Sequence, residues 1–253
     1  MPGCRVTAAN IRYDSDVGSD SATRQPGDSA SRQPGNPETI RNMFARIASR
    51  YDRANTILSA GVHHRWRARA VRRAEVRRGH RVLDCATGTG DLAMRFQEAG
   101  AEVVGIDFTP QMIDLAKAKA PSIRFDVADV MSLPFSNDSF DIASIAFGIR
   151  NVADPRKGIA EMARVVRSGG KVIVLEFGKP PRWFSLYHRH VLPRVGAIVT
   201  GEPEAYNYLQ TSTSDFPSGE NFAKLMRESA RFASITYEPL TFGIAYLYVG
   251  VTA

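Results

Sequence analysis

Two carboxylates and a pair of glycines, set at the ends of short apolar runs, carry the most readable chemistry in this chain. Residues 82–91, Val-Leu-Asp-Cys-Ala-Thr-Gly-Thr-Gly-Asp, pass from an apolar run into a glycine turn, and Val103-Val104-Gly105-Ile106-Asp107 is a second apolar run ending in an acid. Strand, turn, helix and strand in that order predict a βαβ unit with a nucleoside site at its mouth. Gly88 and Gly90, flanking Thr89, let the backbone turn tightly and approach a ligand where the helix begins. Asp107, at the carboxyl end of the second strand, has two oxygens able to accept from a pair of ribose hydroxyls, and Phe108 follows it. Asp129, two residues past a third strand, is placed to reach an adenine amino group, with the backbone amide near Val130 reading a ring nitrogen. A solvated turn aspartate is the alternative for Asp129.

The spacing of the glycines bears on which nucleoside. A dinucleotide fingerprint requires G-x-G-x-x-G, whereas Ala86, Gly88 and Gly90 fall at alternate positions with no third close-packing glycine. Asp84, ending the first strand, would repel a pyrophosphate but is tolerable beside the amino acid part of S-adenosylmethionine. The pattern resembles the first motif of class I S-adenosylmethionine-dependent methyltransferases. On this stretch alone a nicotinamide or flavin enzyme, or a turn that binds nothing, stays open.

The elements that must position these residues follow from pattern. Residues 1–36 read as a disordered polar tail, with Arg-Gln-Pro-Gly at both 24–27 and 32–35. Residues 37–253 are expected to form one folded domain. Ile40, Met43, Phe44, Ile47 and Tyr51 recur at helical spacing, and a second helix spans Trp66 to Arg77. These capping helices, within 37–78, are expected to cover the open edge of the sheet. Strands are predicted at 81–85, 102–107, 123–127, 140–147 and 171–176, with helices near 90–99, 110–119 and 155–167. Thr109-Pro110 gives a hydroxyl cap and a first-turn proline, and Gly169-Gly170 ends the third of these helices. A helix near 219–231 and strands at 234–238 and 242–250 close the chain. The expected fold class is α/β, a doubly wound, mostly parallel, seven-stranded Rossmann-like sheet with ligands at the strands' carboxyl ends. Residues 181–217 interrupt the alternation. Their apolar stripe, Phe184, Tyr187, Val191, Leu192, Val195 and Ile198, suits either core packing or a lid over an apolar substrate.

Composition narrows the class. Hydrophobic content of 43% and charged content of 23% are those of a soluble globular protein. No run approaches the roughly 18 apolar residues of a membrane span, and Met1-Pro2-Gly3-Cys4-Arg5 lacks the apolar core of a secretory signal. Cys4 and Cys85 make neither a disulfide framework nor a metal cluster, so a cytoplasmic location is the default expectation. His64, His188 and His190 lack acidic or cysteine neighbours at ligand spacing, so no metal is assigned. The net charge of +7 is concentrated in Arg65, Arg67, Arg69, Arg72, Arg73, Arg77, Arg78 and Arg81, with Glu75 alone among them. That cluster fits a solvated helix face or an anionic bilayer surface. Nucleic acid is disfavoured, since no aromatic platform or reading motif accompanies the arginines.

Four further stretches narrow the identification. Tyr51-Asp52-Arg53-Ala54-Asn55, Leu58-Ser59, His63 and Trp66 resemble the first signature of the ubiquinone/menaquinone biosynthesis C-methyltransferase family. Ala146-Phe147-Gly148-Ile149-Arg150-Asn151-Val152 resembles its Phe-Gly-x-Arg-Asn turn. Arg164-Val165-Val166-Arg167-Ser168-Gly169-Gly170, through Leu175-Glu176-Phe177, resembles its second signature, and Glu204-Ala205-Tyr206 with Phe216-Pro217 is similar to a later segment. The resemblance covers about residues 38 to 250 and departs at Ala54, Ala146, Ser168 and Gly178, none of which removes a charged group.

The resemblance implies methyl transfer from S-adenosylmethionine, leaving S-adenosylhomocysteine, to a ring carbon of a prenylated quinol, most often demethylmenaquinol. A quinone ring is too electron-poor to attack a sulfonium methyl, so the reduced quinol is the expected acceptor. Acceleration should come from in-line positioning and from stabilising phenolate charge. Arg150 is the leading candidate for that electrostatic role, with Asn151 orienting the same oxygen; an Arg150 paired to a carboxylate to hold its loop is the alternative. His63 is a candidate proton acceptor or a structural residue. Tyr51, Phe147 and Tyr206 are expected at the acceptor pocket, and Ala146 at the cofactor. A prenyl tail would give the arginine cluster and the apolar lid a shared purpose, peripheral contact with an anionic membrane. Methylation of another small aromatic or lipid acceptor, or an inactive homologue in a biosynthetic complex, are the rival readings. A homodimer and a monomer are both open.

Overall fold

The computed structural model describes residues 61–179 and 216–253, with isolated positions at 38, 41, 42, 45, 46, 52, 56, 59 and 213. The polar tail, most of the first capping helix and nearly all of 181–217 lie outside the described residues, as do Tyr51 and Tyr206.

The described chain runs α1 (Val62–Ala74), β1 (Arg81–Cys85), α2 (Asp91–Glu98), β2 (Glu102–Asp107), α3 (Pro110–Lys119), β3 (Arg124–Val127), β4 (Phe140–Ala146), a 3-10 turn (Ile149–Asn151), α4 (Pro155–Val165), β5 (Val166–Phe177), α5 (Glu220–Ser229), β6 (Phe232–Leu240) and β7 (Ala245–Thr252). Seven strands form one sheet in the order β3-β2-β1-β4-β5-β7-β6. The first five pair in parallel, and β7 runs antiparallel to both β5 and β6. Strand order reverses between β1 and β4, which opens a crevice at their carboxyl ends.

Near-continuous apolar strands need cover on both faces. On one face α1, α2 and α3 contribute Trp66, Ala70, Phe96 and Ile113 to a core with Val82, Val103 and Phe125. On the other, α4 and α5 contribute Ile159, Met162, Phe222 and Met226 against Leu83, Ile145 and Val174. Asp154 caps α4 by accepting from the amides of Arg156 and Lys157, with Pro155 in the first turn.

Several expectations are corrected. The helix after Gly61 covers no edge: α1 lies on a sheet face against β5, β7 and α2, because Trp66, Ala70 and Ala74 bury only there. It also starts at Val62 and ends at Ala74, three residues before Arg77. Helix α4 ends at Val165 rather than at Gly169-Gly170, since Val166 already pairs with Phe140. The register then shifts before Ile142, and a Cβ on Gly170 would stand 2.6 Å from the Asp141 carbonyl oxygen. Thr109 makes no side-chain cap, although Pro110 does open α3. Phe242 lies in the β6–β7 turn with φ 58, and is 80% exposed, rather than within a buried strand. The arginine cluster is partly structural: Arg69 makes two 2.9 Å bonds to Glu238, Arg73 pairs with the same carboxylate, and Arg81 lies over Phe140. The indole of Trp66 donates to Thr241 at 2.9 Å, tying α1 to the β6–β7 turn.

Candidate active site

The turn after β1 has left-handed backbone at alternate residues, Ala86 (φ 48), Gly88 (φ 57) and Gly90 (φ 85). Ala86 is a non-glycine in that region, which is strain of a kind concentrated at binding sites. The turn is held from β2: the Thr87 amide donates to the Ile106 carbonyl, and the Gly88 amide donates to Asp107 Oδ2, both at 2.9 Å. Asp107 Oδ1 accepts from the Thr109 amide at 2.9 Å, so one carboxylate joins two loops. Burial pushes this carboxyl up, while the amide donors favour its anion. Beneath the turn, the buried Phe125 ring fills the space over two glycines. A Cβ on Gly105 would come within 2.5 Å of it, and one on Gly90 within 3.0 Å.

An open cleft of about 870 Å³, counting its mouth, lies above the ends of β1 to β4. Ala86, Gly88 and Asp107 form its floor; Phe108, Met112, Val130 and Met131 with Asp129 form one side; Ala146, Phe147, Gly148, Asn151 and Val152 form the other. Asp129 Oδ1 accepts from the Met131 amide at 2.8 Å, which fixes its orientation. Arg41 reaches the cleft and lies over the Phe108 ring at 5.6 Å. These residues fit an adenosyl group: a carboxylate for the ribose, a second acid toward the base, and flat apolar walls between. Arg41 is the sole cation among the described lining residues.

Phe147 is the second strained non-glycine of the cleft, at φ 58. Its amide donates to the Leu175 carbonyl, and its own carbonyl accepts from Arg150 Nη1 at 2.7 Å. Arg150 Nη1 also meets Glu176 Oε1 at 2.7 Å, with both side chains almost fully buried. The Glu176 carboxylate accepts from the Arg150 and Phe177 amides as well. The described cleft wall contains Asn151 but not Arg150, whose guanidinium is turned to Glu176 and lies over Phe177. Arg150 thus has the carboxylate partner that the loop-holding alternative requires.

The profile of the ubiE/COQ5 methyltransferase family matches residues 32–252. A curated relative in Bdellovibrio bacteriovorus, the ubiquinone/menaquinone biosynthesis C-methyltransferase UbiE, is 49% identical over 85% of this chain and 96% of its own. The chain belongs to this family. A demethylmenaquinone methyltransferase of Deinococcus radiodurans is 46% identical to the methyltransferase described here, over 84% of this chain and 92% of its own. Among solved structures, a SAM-dependent methyltransferase of Thermotoga maritima matches with a TM-score of 0.63 at 18% identity, covering 85% of this chain and all of the other. That likeness shows the fold, the Rossmann-like arrangement of S-adenosylmethionine-dependent enzymes.

Other expected site residues of the methyltransferase lie apart from the cleft. Asp84 is 1% exposed and accepts from Thr87 Oγ1 and Ser144 Oγ, each at 2.7 Å, so it braces the turn from below. Burial raises its carboxyl to about 6 despite those donors. Thr89 donates to Asp52 at 2.6 Å, and Gly90 precedes α2 as its N-cap. His63 is buried on α1 with Nδ1 against Ser59 Oγ. His63, His64 and Asp91 bring potential ligand atoms within 4.8 Å of one another, a cluster that local sequence spacing hides. Asp91 already faces Arg67 and Lys119, which oppose a further cation there. Arg41 and Met112 were not foreseen at the cleft. The position of Met112 one turn after Thr109 on α3 is a signal that could have found it.

Burial, with Arg67 and His64 adding repulsion, lowers His63 to about 4 from 6.5. Such an imidazole is neutral at pH 7 but a weak base. Between those two values the unfolded chain binds the extra proton, so this residue makes the fold less stable as pH falls from 6.5 toward 4. Asp84 acts oppositely, since its fold-held proton favours the folded state below about 6. We expect the His63 ring signals to titrate with a midpoint near 4 in NMR spectra, and stability of His63→Gln to fall less between pH 6 and 4 than that of wild type. A midpoint near 6.5 would refute the burial argument.

Proposed function

We propose that this methyltransferase moves the methyl group of S-adenosylmethionine onto a ring carbon of a prenylated quinol, with demethylmenaquinol the favoured acceptor. The observation that carries the reading is near-full-length similarity to relatives bearing those names, joined to a cleft whose adenosyl end opens toward an aromatic and amide wall.

When bound, S-adenosylmethionine supplies an electrophilic methyl on a sulfonium. The acceptor would be a ring carbon of the quinol, whose displaced ring proton would pass to water. The protein's part is geometry. Asp107 and Asp129 hold the adenosyl end, and the Phe147–Asn151 turn sets the acceptor's approach. Asn151 orients a ring oxygen as phenolate charge develops, and Arg150 acts through the turn by binding the Phe147 carbonyl and Glu176. His63, held neutral, serves the packing of α1 better than proton transfer.

Incubation of the protein with methyl-labelled S-adenosylmethionine and demethylmenaquinol, reduced and oxidised, tests the chemistry by mass spectrometry. Label on a ring carbon of the reduced acceptor alone is expected. Label on oxygen, or equal turnover of the oxidised ring, would overturn it.

A prenylated acceptor resides in a bilayer, and none of the helices among the described residues is long and apolar enough to cross one. We place membrane contact at the arginines left exposed beside α1, Arg65, Arg72, Arg77 and Arg78. Sedimentation with vesicles at low salt should show binding to anionic but not neutral lipid, reduced several-fold in Arg72→Gln/Arg77→Gln/Arg78→Gln. Equal partitioning onto both would rule out the electrostatic contact.

A further inference from the structure

The sheet's topology gives the cleft a direction. Asp107 and Asp129 follow β2 and β3, on one side of β1, and the cleft continues across β1 to Ala146, Phe147 and Gly148 after β4. With the adenosyl group at the two acids, the methionyl half extends toward Phe147. Its carboxylate then requires a cation at that end, and Arg41 stands over Phe108 at the other.

Arg67 stands behind Phe147. It projects from α1 with its guanidinium 5.6 Å from the Phe147 ring centroid, and its side chain is 8% exposed. Nε and Nη1 are buried without a hydrogen-bond partner among the described residues. Nη2 is 3.7 Å from Asp91, beyond hydrogen-bond length, and Asp91 is held more closely by Lys119. Asp91 is the first residue of α2, immediately after the glycine turn, so Arg67 lies between the start of α2 and the cleft residue Phe147, one layer behind the described lining. A buried guanidinium with idle donors is costly to the fold. Its planar set of N–H groups matches a carboxylate.

We propose that Arg67 receives the carboxylate of the methionyl half of S-adenosylmethionine and of S-adenosylhomocysteine, and so selects amino acid-bearing ligands over plain thioadenosines. The proposal rests on the cofactor reading above. It assigns Arg67 a task distinct from those of the exposed arginines of α1, and it explains why this arginine of the cluster is buried with two donors unpaired among the described residues. Asp84, buried beneath the same turn, feels the positive field of Arg67, which places the two within electrostatic reach.

Calorimetric titration of the full chain with S-adenosylhomocysteine and with its decarboxylated analogue tests this. Wild type should prefer the carboxylate ligand by roughly 30-fold, as one charge-assisted pair would give. Arg67→Gln should reduce that preference to about threefold or less while leaving the decarboxylated analogue's affinity unchanged. Arg67→Lys, which keeps the charge and loses the planar fork, should fall between, and it serves if the glutamine variant fails to fold. Equal weakening of both ligands in either variant, or no preference in wild type, would overturn the proposal and leave Arg67 a brace for Asp91 and Phe147. Binding of neither ligand by wild type would overturn the cofactor reading and this proposal together.

Discussion

A single half-buried carboxylate, Asp107, ties together the two turns beneath the cleft. Its oxygens accept from the Gly88 and Thr109 amides, which belong to the turns after β1 and β2. Neither turn is fixed by its own sequence alone. The first passes through three left-handed residues, one of them an alanine, and the second has no hydroxyl cap. Burying the acid works against its charge, and the two amides compensate in a way that also aims its remaining lone pairs toward the cleft. A residue that builds the turn and also lines the cleft makes the shape of the cleft depend on one side chain.

The opposite wall is built on the same logic with the signs paired. Glu176 from β5 and Arg150 from the turn after β4 form a buried ion pair, and Arg150 reaches back to the Phe147 carbonyl. Removing one member of such a pair leaves an uncompensated charge, a loss of about 3–5 kcal/mol. The pair therefore holds Phe147 in its left-handed conformation and sets where Asn151 stands in the cleft. An arginine that looks free in the sequence is committed to supporting its neighbours.

The sheet was legible because its strands are short apolar runs between strong turn residues, and the period of alternation with helices leaves few topologies open. The turn beneath the cleft was legible for a related reason: Gly88, Gly90 and Asp107 act through backbone and strand-end geometry, which sequence order specifies. What was not legible depends on contacts distant in sequence. The partner of Arg150 is 26 residues away, and that of Arg69 is 169 away. Asp84 has the residue type of a ligand contact, but its direction depends on Ser144, 60 residues on. The helix α1 shows an apolar side in its sequence, yet nothing local says whether that side meets a sheet's edge or its face.

The most direct test of this account is the affinity of Asp107→Asn for S-adenosylhomocysteine, measured by calorimetry beside a thermal melt. The asparagine keeps the shape and one acceptor oxygen but sets its NH2 against one of the two backbone amides, so the melting temperature should fall while the chain stays folded. Losing a charged acceptor shared by the ribose and the turn should weaken binding by about 100-fold. A folded variant that binds as tightly as wild type would contradict the claim that this carboxylate organises the cofactor site.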